Sequence, residues 1–374
     1  IPLPYMMKCH NIIILMIICL LLPNCKHNNN TASKSDNMEY AQWLDIEHYD
    51  SYTQVTVRNP WNAGSALQTY CLVPRGNAIP SNANGTIIKV PVQSALVYSS
   101  VHGGIIKELG ALQSITGVCD AQYFDMPEIK QLVADGRIVD AGNSMQPTIE
   151  RIVQLRPDAI ILSPFQNGGY GALTSLGTPI IECADYMENT PLGRAEWIKL
   201  FGELYCCRAK ADSIFSSVVK QYTTVKALTD SISWRPKVIS ETVTSGVWFM
   251  PGGDSYMAHL YIDAGADYPW SSDTSTGSLS LNFEQVYATA HDADIWLIKS
   301  LHPMSYDEFA AQYPLNPKFK AFKERHIYQC PSLNTSLYRD FPFHPEVLLR
   351  EYVRIFHPDI LDEPTQYFKP MTDE

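Results

Sequence analysis

The sequence predicts an α/β protein of two lobes joined by a long rigid helix, with a β-hairpin extension at its N-terminus. Three observations carry this. Strand, glycine-rich turn and helix follow one another, the order of a parallel-sheet α/β unit. The helix–strand segment Thr148–Leu162 is echoed by Asn282–Ile298, with Glu150 and Glu284 at matching positions 134 residues apart. Between the two units, residues 194–230 keep apolar side chains at helical spacing for roughly ten turns of about 3.6 residues.

Composition narrows the function before any motif does. Of 374 residues, 45% are hydrophobic and 18% charged, which excludes wholesale disorder. The formal net charge is −11 with no run of Lys or Arg, so the chain lacks the basic footprint that nucleic-acid phosphates require.

The N-terminus reads as an export signal. Lys8 precedes Ile12–Leu22, an uninterrupted apolar run of 11 residues, whereas a permanent membrane helix needs roughly 20. Pro23-Asn24-Cys25 closes the run. A cysteine at this place resembles a bacterial lipobox, in which Cys25 is lipidated, although Asn24 stands where that motif has a small residue. Residues 26–37 are rich in Asn, Ser, Lys and His with no apolar period, and read as a tether. The six cysteines beyond Cys25 show no CxxC pair, which argues against a zinc ribbon or a thioredoxin-like site.

From Thr53 to Pro74 the pattern alternates with period two around Asn59-Pro60-Trp61-Asn62, predicting a β-hairpin. Ile87–Tyr98 reads as one buried strand. A small-residue loop, Ser99 to Gly104, leads to a helix that stops at Gly110, and Ile115–Val118 is a short strand. Thr148–Leu155 is a helix ended by Arg156-Pro157 and feeds the strand ending at Leu162. In the second unit Pro236 starts a strand, Gly252-Gly253 makes a turn, and the helix Met257–Ile262 stops before Gly265 much as the first stops before Gly110. Between the units a break near Cys206–Arg208 divides a shorter helix from a longer one. The expected organisation is a signal peptide over 1–24, a lipidated tether over 25–43, a hairpin extension over 44–86, an N-terminal lobe over 87–193, an inter-lobe helix over 194–230 and a C-terminal lobe over 231–374.

Ile149-Glu150-Arg151-Ile152, followed by Leu155-Arg156-Pro157-Asp158-Ala159-Ile160-Ile161, resembles the substrate-binding proteins of ABC importers that carry iron complexes, haem or cobalamin. Leu109-Gly110-Ala111, Phe343-His344-Pro345-Glu346 and Phe356-His357-Pro358-Asp359 support the likeness, which covers about residues 90 to 360. It implies two Rossmann-like lobes, a ligand held between them, and no chemistry. It further implies that Glu150 and Glu284 dock into arginine pockets of a two-subunit permease. The chain is then expected to act as a monomer, to meet the membrane through its lipid anchor alone, to bind no nucleic acid and to need no cofactor beyond the transported ligand.

Ligands of α/β units sit at the carboxyl ends of the strands. The candidates there are Ser100, His102, Tyr123, Phe165 and Tyr170 in the first lobe, and Trp248, Tyr338 and Arg339 in the second. Aromatic faces suit a porphyrin, corrin or catecholate, and an arginine suits a carboxylate or anionic chelate. No HxxxH, HExxH or GxSxG pattern is present, so neither a catalytic metal site nor a nucleophile elbow is expected. The expected function is capture of an iron chelate, siderophore or haem, for import. The alternatives are cobalamin on the same frame and an exported chelatase-like enzyme, which would need an acid–base pair in the cleft.

Overall fold

The computed structural model describes residues 34–36 and 38–373. The expected signal peptide, the lipidation site Cys25 and the first part of the expected tether lie outside these residues.

The extension is larger than a hairpin. β1 (Lys34–Asp36), β2 (Leu44–His48), β3 (Thr53–Arg58), β4 (Ala66–Pro74) and β5 (Thr86–Val90) form one sheet in that order. Neighbours are antiparallel except β4 and β5, which run parallel. Alternation drives the packing: Leu44, Ile46, Val55 and Val57 are all buried. The single strand expected over Ile87–Tyr98 is two strands in two sheets. Pro91 supplies no N–H to a ladder, so β5 stays with the extension and β6 (Ala95–Val97) opens the first lobe. The apolar residues on both sides hide this boundary in the sequence.

The last residues of the expected tether are held by the fold. Glu196 accepts the backbone N–H groups of Glu39, Tyr40 and Ala41 at 3.0, 2.8 and 2.8 Å. Glu188 accepts those of Gln42 and Trp43 at 2.9 and 3.0 Å. Both carboxylates are buried, and a buried carboxylate persists only when hydrogen-bonded. Here the incoming chain supplies the donors. Tyr70 of β4 adds a second attachment, its hydroxyl donating to the Ile180 carbonyl at 3.0 Å and accepting from the Glu182 N–H at 2.8 Å.

The first lobe continues with α1 (Ser100–Glu108), β7 (Ile115–Val118), α2 (Pro127–Ala134), β8 (Val139–Asp140), the small hairpin β9 (Gly142–Asn143) and β10 (Gln146–Pro147), α3 (Ile149–Leu155), β11 (Ala159–Leu162) and β12 (Ile180–Glu182). Its sheet is wholly parallel in the order β12-β11-β6-β7-β8.

The connection is three helices: α4 (Pro191–Glu196), α5 (Ile198–Leu204) and α6 (Arg208–Ala227). The break falls at Cys206, which sits in the left-handed region with φ of 53°. α6 spans both lobes. Near its start Lys210 donates to the Glu108 carbonyl at 2.6 Å, and near its end Tyr222 and Lys226 both reach Asp263 at 2.7 Å.

The second lobe contains β13 (Val238–Ser240), β14 (Val243–Thr244), β15 (Val247–Pro251), α7 (Tyr256–Asp263), β16 (Ser278–Leu281), α8 (Phe283–Ala290), β17 (Ile295–Ser300), α9 (Tyr306–Gln312), α10 (Lys320–Lys323), β18 (Ile327–Pro331), α11 (Leu337–Asp340), α12 (Pro345–Phe356) and β19 (Lys369–Pro370). Its main sheet runs β13-β17-β18-β19, parallel except for β19. The repeat is visible here: α8 feeds β17 beside the lobe's first strand, as α3 feeds β11 beside β6. Where the first lobe adds β7 and β8, the second inserts the antiparallel sheet β14-β15-β16.

Candidate functional site

The strand ends of the two lobes meet. Tyr186 and Met187, which follow β12, share a cavity of about 460 Å³ with Glu241 and Thr242, which follow β13, and with Lys299 of β17. A second cavity of about 440 Å³ lies within the first lobe, lined by Ser99, Met145, Leu162, Phe165 and Tyr170 among others. Sites for small molecules fall in this size range.

Exposed apolar side chains face both spaces. Among the described residues, Met145 and Phe165 line the first-lobe cavity and Phe249 of β15 lines the inter-lobe one, and all three side chains stay exposed. Exposed apolar side chains lining a cavity mark a binding site.

Charge is sparse and confined to one wall. Among the described residues lining the two cavities, Lys299 is the one cation and Glu241 the one anion, and they pair with each other. Burial opposes the ammonium charge, but the Glu241 carboxylate outweighs it and holds Lys299 above its ordinary pKa. The Lys299 charge also acts on Tyr338, whose phenol is raised chiefly by burial. In the first lobe the Tyr170 hydroxyl donates to Glu182, whose carboxyl burial pushes above the usual range.

Around the cleft the lobes are tied together. Asp185 accepts from His102 and from Arg194, each at 3.1 Å, while the Arg194 guanidinium lies 5.0 Å over the Tyr256 ring and 5.3 Å over Phe341. Burial alone would raise the Asp185 carboxyl, yet its two partners hold it below the carboxylate range. On the α1 side, Arg339 bridges to Asp125 at 2.8 Å, and His344 joins Glu108 at 2.8 Å to Glu346 at 3.0 Å.

These facts sort the residues expected to touch ligand. Phe165 and Tyr170 line the first-lobe cavity, Tyr123 and Tyr338 are exposed on strand-end segments, and Ser100 begins α1 next to the cavity-lining Ser99. Two expectations are corrected. Trp248 is fully buried, stacks on Trp296 with ring centroids 5.5 Å apart, and donates its Nε1–H to the Ser240 carbonyl at 2.8 Å; it belongs to the core. His102 is buried and committed to Asp185. Arg339 is paired with Asp125 and Asp340 in the seam between the lobes, is 22% exposed and remains a candidate. Glu150 and Glu284 stand exposed in the first turns of α3 and α8, with no ion pair among the described residues. The residue overlooked was Lys299. Its signal was the apolar run Ile295 to Ile298 ending in a lysine at the carboxyl end of a strand.

No cluster of three or more His, Cys, Asp or Glu side chains among the described residues is placed to hold a metal ion.

Two α/β lobes tied by a long helix, with an apolar cleft at their strand ends, define the bilobed solute-binding class. The chain belongs to the periplasmic binding protein family, whose pattern matches residues 96–333. It is 26% identical over 317 residues, 78% of this chain and 75% of the relative, to an uncharacterized lipoprotein of Methanocaldococcus jannaschii. A second uncharacterized lipoprotein of that organism is 26% identical over 324 residues, 82% of this chain and 81% of the relative. Among solved structures, the fold is similar to a periplasmic heme binding protein from Pseudomonas aeruginosa, with TM-score 0.56 and 16% identity over 75% of this chain and 98% of that one. A TroA-like periplasmic binding protein, FepB, from Veillonella parvula matches with TM-score 0.58 and 16% identity over 77% and 97%. At such identities these structures establish the fold alone. The family is one of solute binding and, in general, not of catalysis, and its members are exported to the cell envelope.

Proposed function

We propose that this protein is the solute-binding component of an ABC import system, exported and lipid-anchored through Cys25, which captures an iron chelate, siderophore or haem, between its lobes and delivers it to a permease dimer. The observation that carries this reading is that exposed apolar side chains line the cavities of both lobes, Met145 and Phe165 in the first and Phe249 in the second. A flat, partly apolar chelate buries those faces, and each side chain taken out of water contributes at roughly 25 cal/mol per Å². Glu150 and Glu284, one per lobe in equivalent helices, supply two anionic knobs for a two-fold permease.

The test is spectroscopic titration of the purified protein with haemin, a ferric siderophore and cyanocobalamin. Stoichiometric retention of haemin or the ferric siderophore, chemically unchanged, supports the reading. Retention of cyanocobalamin alone transfers the role to corrinoids. Conversion of the chelate with release of metal overturns a binding role in favour of a chelatase.

A further inference from the structure

The cleft is lopsided, and the imbalance describes the solute. The first-lobe cavity is walled by Met145, Leu162, Phe165 and Tyr170 and carries no charged side chain among its described lining. The inter-lobe cavity has Lys299 in its wall, 18% exposed, with Thr242 and Ser278 close by. Lys299 stands at the carboxyl end of the central parallel strand β17, where the fold directs ligands.

Among the described residues of that wall, the one carboxylate is already bonded to Lys299. Glu241 is fixed at its backbone: its N–H donates to the Leu297 carbonyl at 3.0 Å, its own carbonyl accepts from Trp296 Nε1 at 2.9 Å, and its φ is 62°. Its side chain therefore reaches Lys299 from a pinned position. A lysine left alone in a wall that closes over an apolar ligand is costly. A carboxylate waiting beside it keeps the charge compensated while the cleft is empty. The N-terminal residues of α7, Tyr256 and Met257, line the same cavity, so the positive end of that helix's dipole adds to the preference for an anion.

We propose that Lys299 receives a carboxylate of the transported solute, which is therefore a flat apolar chelate bearing carboxylates along one edge, laid with its apolar part toward Phe165 and its charged edge toward β17. Glu241 is the occupant's stand-in, holding the ammonium until the solute arrives. The inference rests on the solute-binding reading above and deepens it. It separates the ligand classes by chemistry: a porphyrin chelate with free carboxylates matches this wall, and a corrinoid whose rim is amidated does not.

The experiment compares haemin, haemin dimethyl ester and cyanocobalamin on wild type, Lys299→Met, Lys299→Arg and the double variant Lys299→Met/Glu241→Gln. The double variant removes both charges and so leaves no uncompensated carboxylate to unfold the lobe. Wild type is expected to bind haemin at least about tenfold more tightly than its diester. Both methionine variants should lose that preference while keeping the diester affinity, and Lys299→Arg should retain part of it. Equal affinity of wild type for haemin and its diester, cyanocobalamin bound in preference to haemin, or an intact preference in the double variant overturns the assignment of Lys299 while leaving solute binding standing. Failure of wild type to bind any of the three, or a ferric siderophore, overturns the solute-binding reading and this proposal with it.

Discussion

Where β11 ends, the first lobe presents Leu162, Phe165 and Tyr170 to its cavity; where β17 ends, at the matching place in the second lobe, stands Lys299. The helices that feed these strands have not diverged in the same way. α3 and α8 each carry an exposed glutamate in the first turn, Glu150 and Glu284. One repeated unit thus keeps its outer rim alike and makes its inner walls different. The physical reason is placement. Strand-end loops carry few packing duties and are free to change, whereas the two glutamates stand on exposed helix faces where packing does not hold them, so their likeness reflects what meets that rim. On the proposed function, a two-fold partner meets the rim, and a solute without two-fold symmetry meets the walls.

The rim gives the largest expected effect. The double charge reversal Glu150→Lys/Glu284→Lys should abolish importer-dependent uptake while leaving solute affinity within error. Normal uptake, or lost affinity in the folded protein, would break the symmetry argument.

Next comes a contrast within one strand of the second wall. Trp248 and Phe249 are adjacent, but Trp248 is fully buried and Phe249 is 48% exposed. Trp248→Ala should cost about 3–5 kcal/mol of stability in denaturant titration, as loss of a large core side chain does. Phe249→Ala should leave stability within about 0.5 kcal/mol and weaken solute binding by about 1–2 kcal/mol. If the two effects are interchanged, β15 faces the other way.

The seam between the lobes has a pH signature. Burial lowers the affinity of His344 for its proton, but Glu108 and Glu346 overcome this and raise its pKa from 6.5 to about 10. A raised folded-state value means the bound proton stabilises the native state. That contribution is complete below the unfolded-state value near 6.5 and disappears as pH rises through about 10. Stability should therefore fall across this window, and His344→Gln should flatten the slope. An unchanged slope would remove His344 from the seam's energetics.

The smallest effect concerns motion. With α6 tied to both lobes and Arg194 joining Asp185 to Tyr256, solution scattering with and without solute should show little change in radius of gyration. A contraction of several ångströms would mean that the lobes hinge and their walls meet only when loaded.

Much of this plan is legible in the sequence because it rests on local rules. The repeat is written in Thr148–Leu162 and Asn282–Ile298, and the helix break at Cys206 follows the lapse in apolar spacing. What escaped was decided by parity and by distance along the chain. In Val247–Pro251 the alternation is plain, but which face is buried depends on register, and a one-residue shift exchanges Trp248 for Phe249. Arg339 meets Asp125 across 214 residues and His102 meets Asp185 across 83, separations that no local pattern encodes. Nothing local in the sequence marks Glu188 and Glu196, because the backbone they hold comes from about 150 residues earlier. Lys299 was within reach, as a charge that ends an apolar strand at the end where ligands sit.

The clasp of Glu188 and Glu196 on the entering chain, with β1 pinned to β2, sets a radius of action. On the proposed anchorage at Cys25, covalent geometry limits how far Lys34 of β1 can lie from the lipidated residue. At roughly 3.3–3.6 Å per residue, nine fully extended steps reach about 30 Å. The molecule is then moored close to its own membrane, and its search for a permease becomes a two-dimensional one. A short mooring also raises the local concentration of docking glutamates at the bilayer surface far above that of a protein released into the surrounding space. Lengthening this segment should therefore slow delivery without touching the cleft.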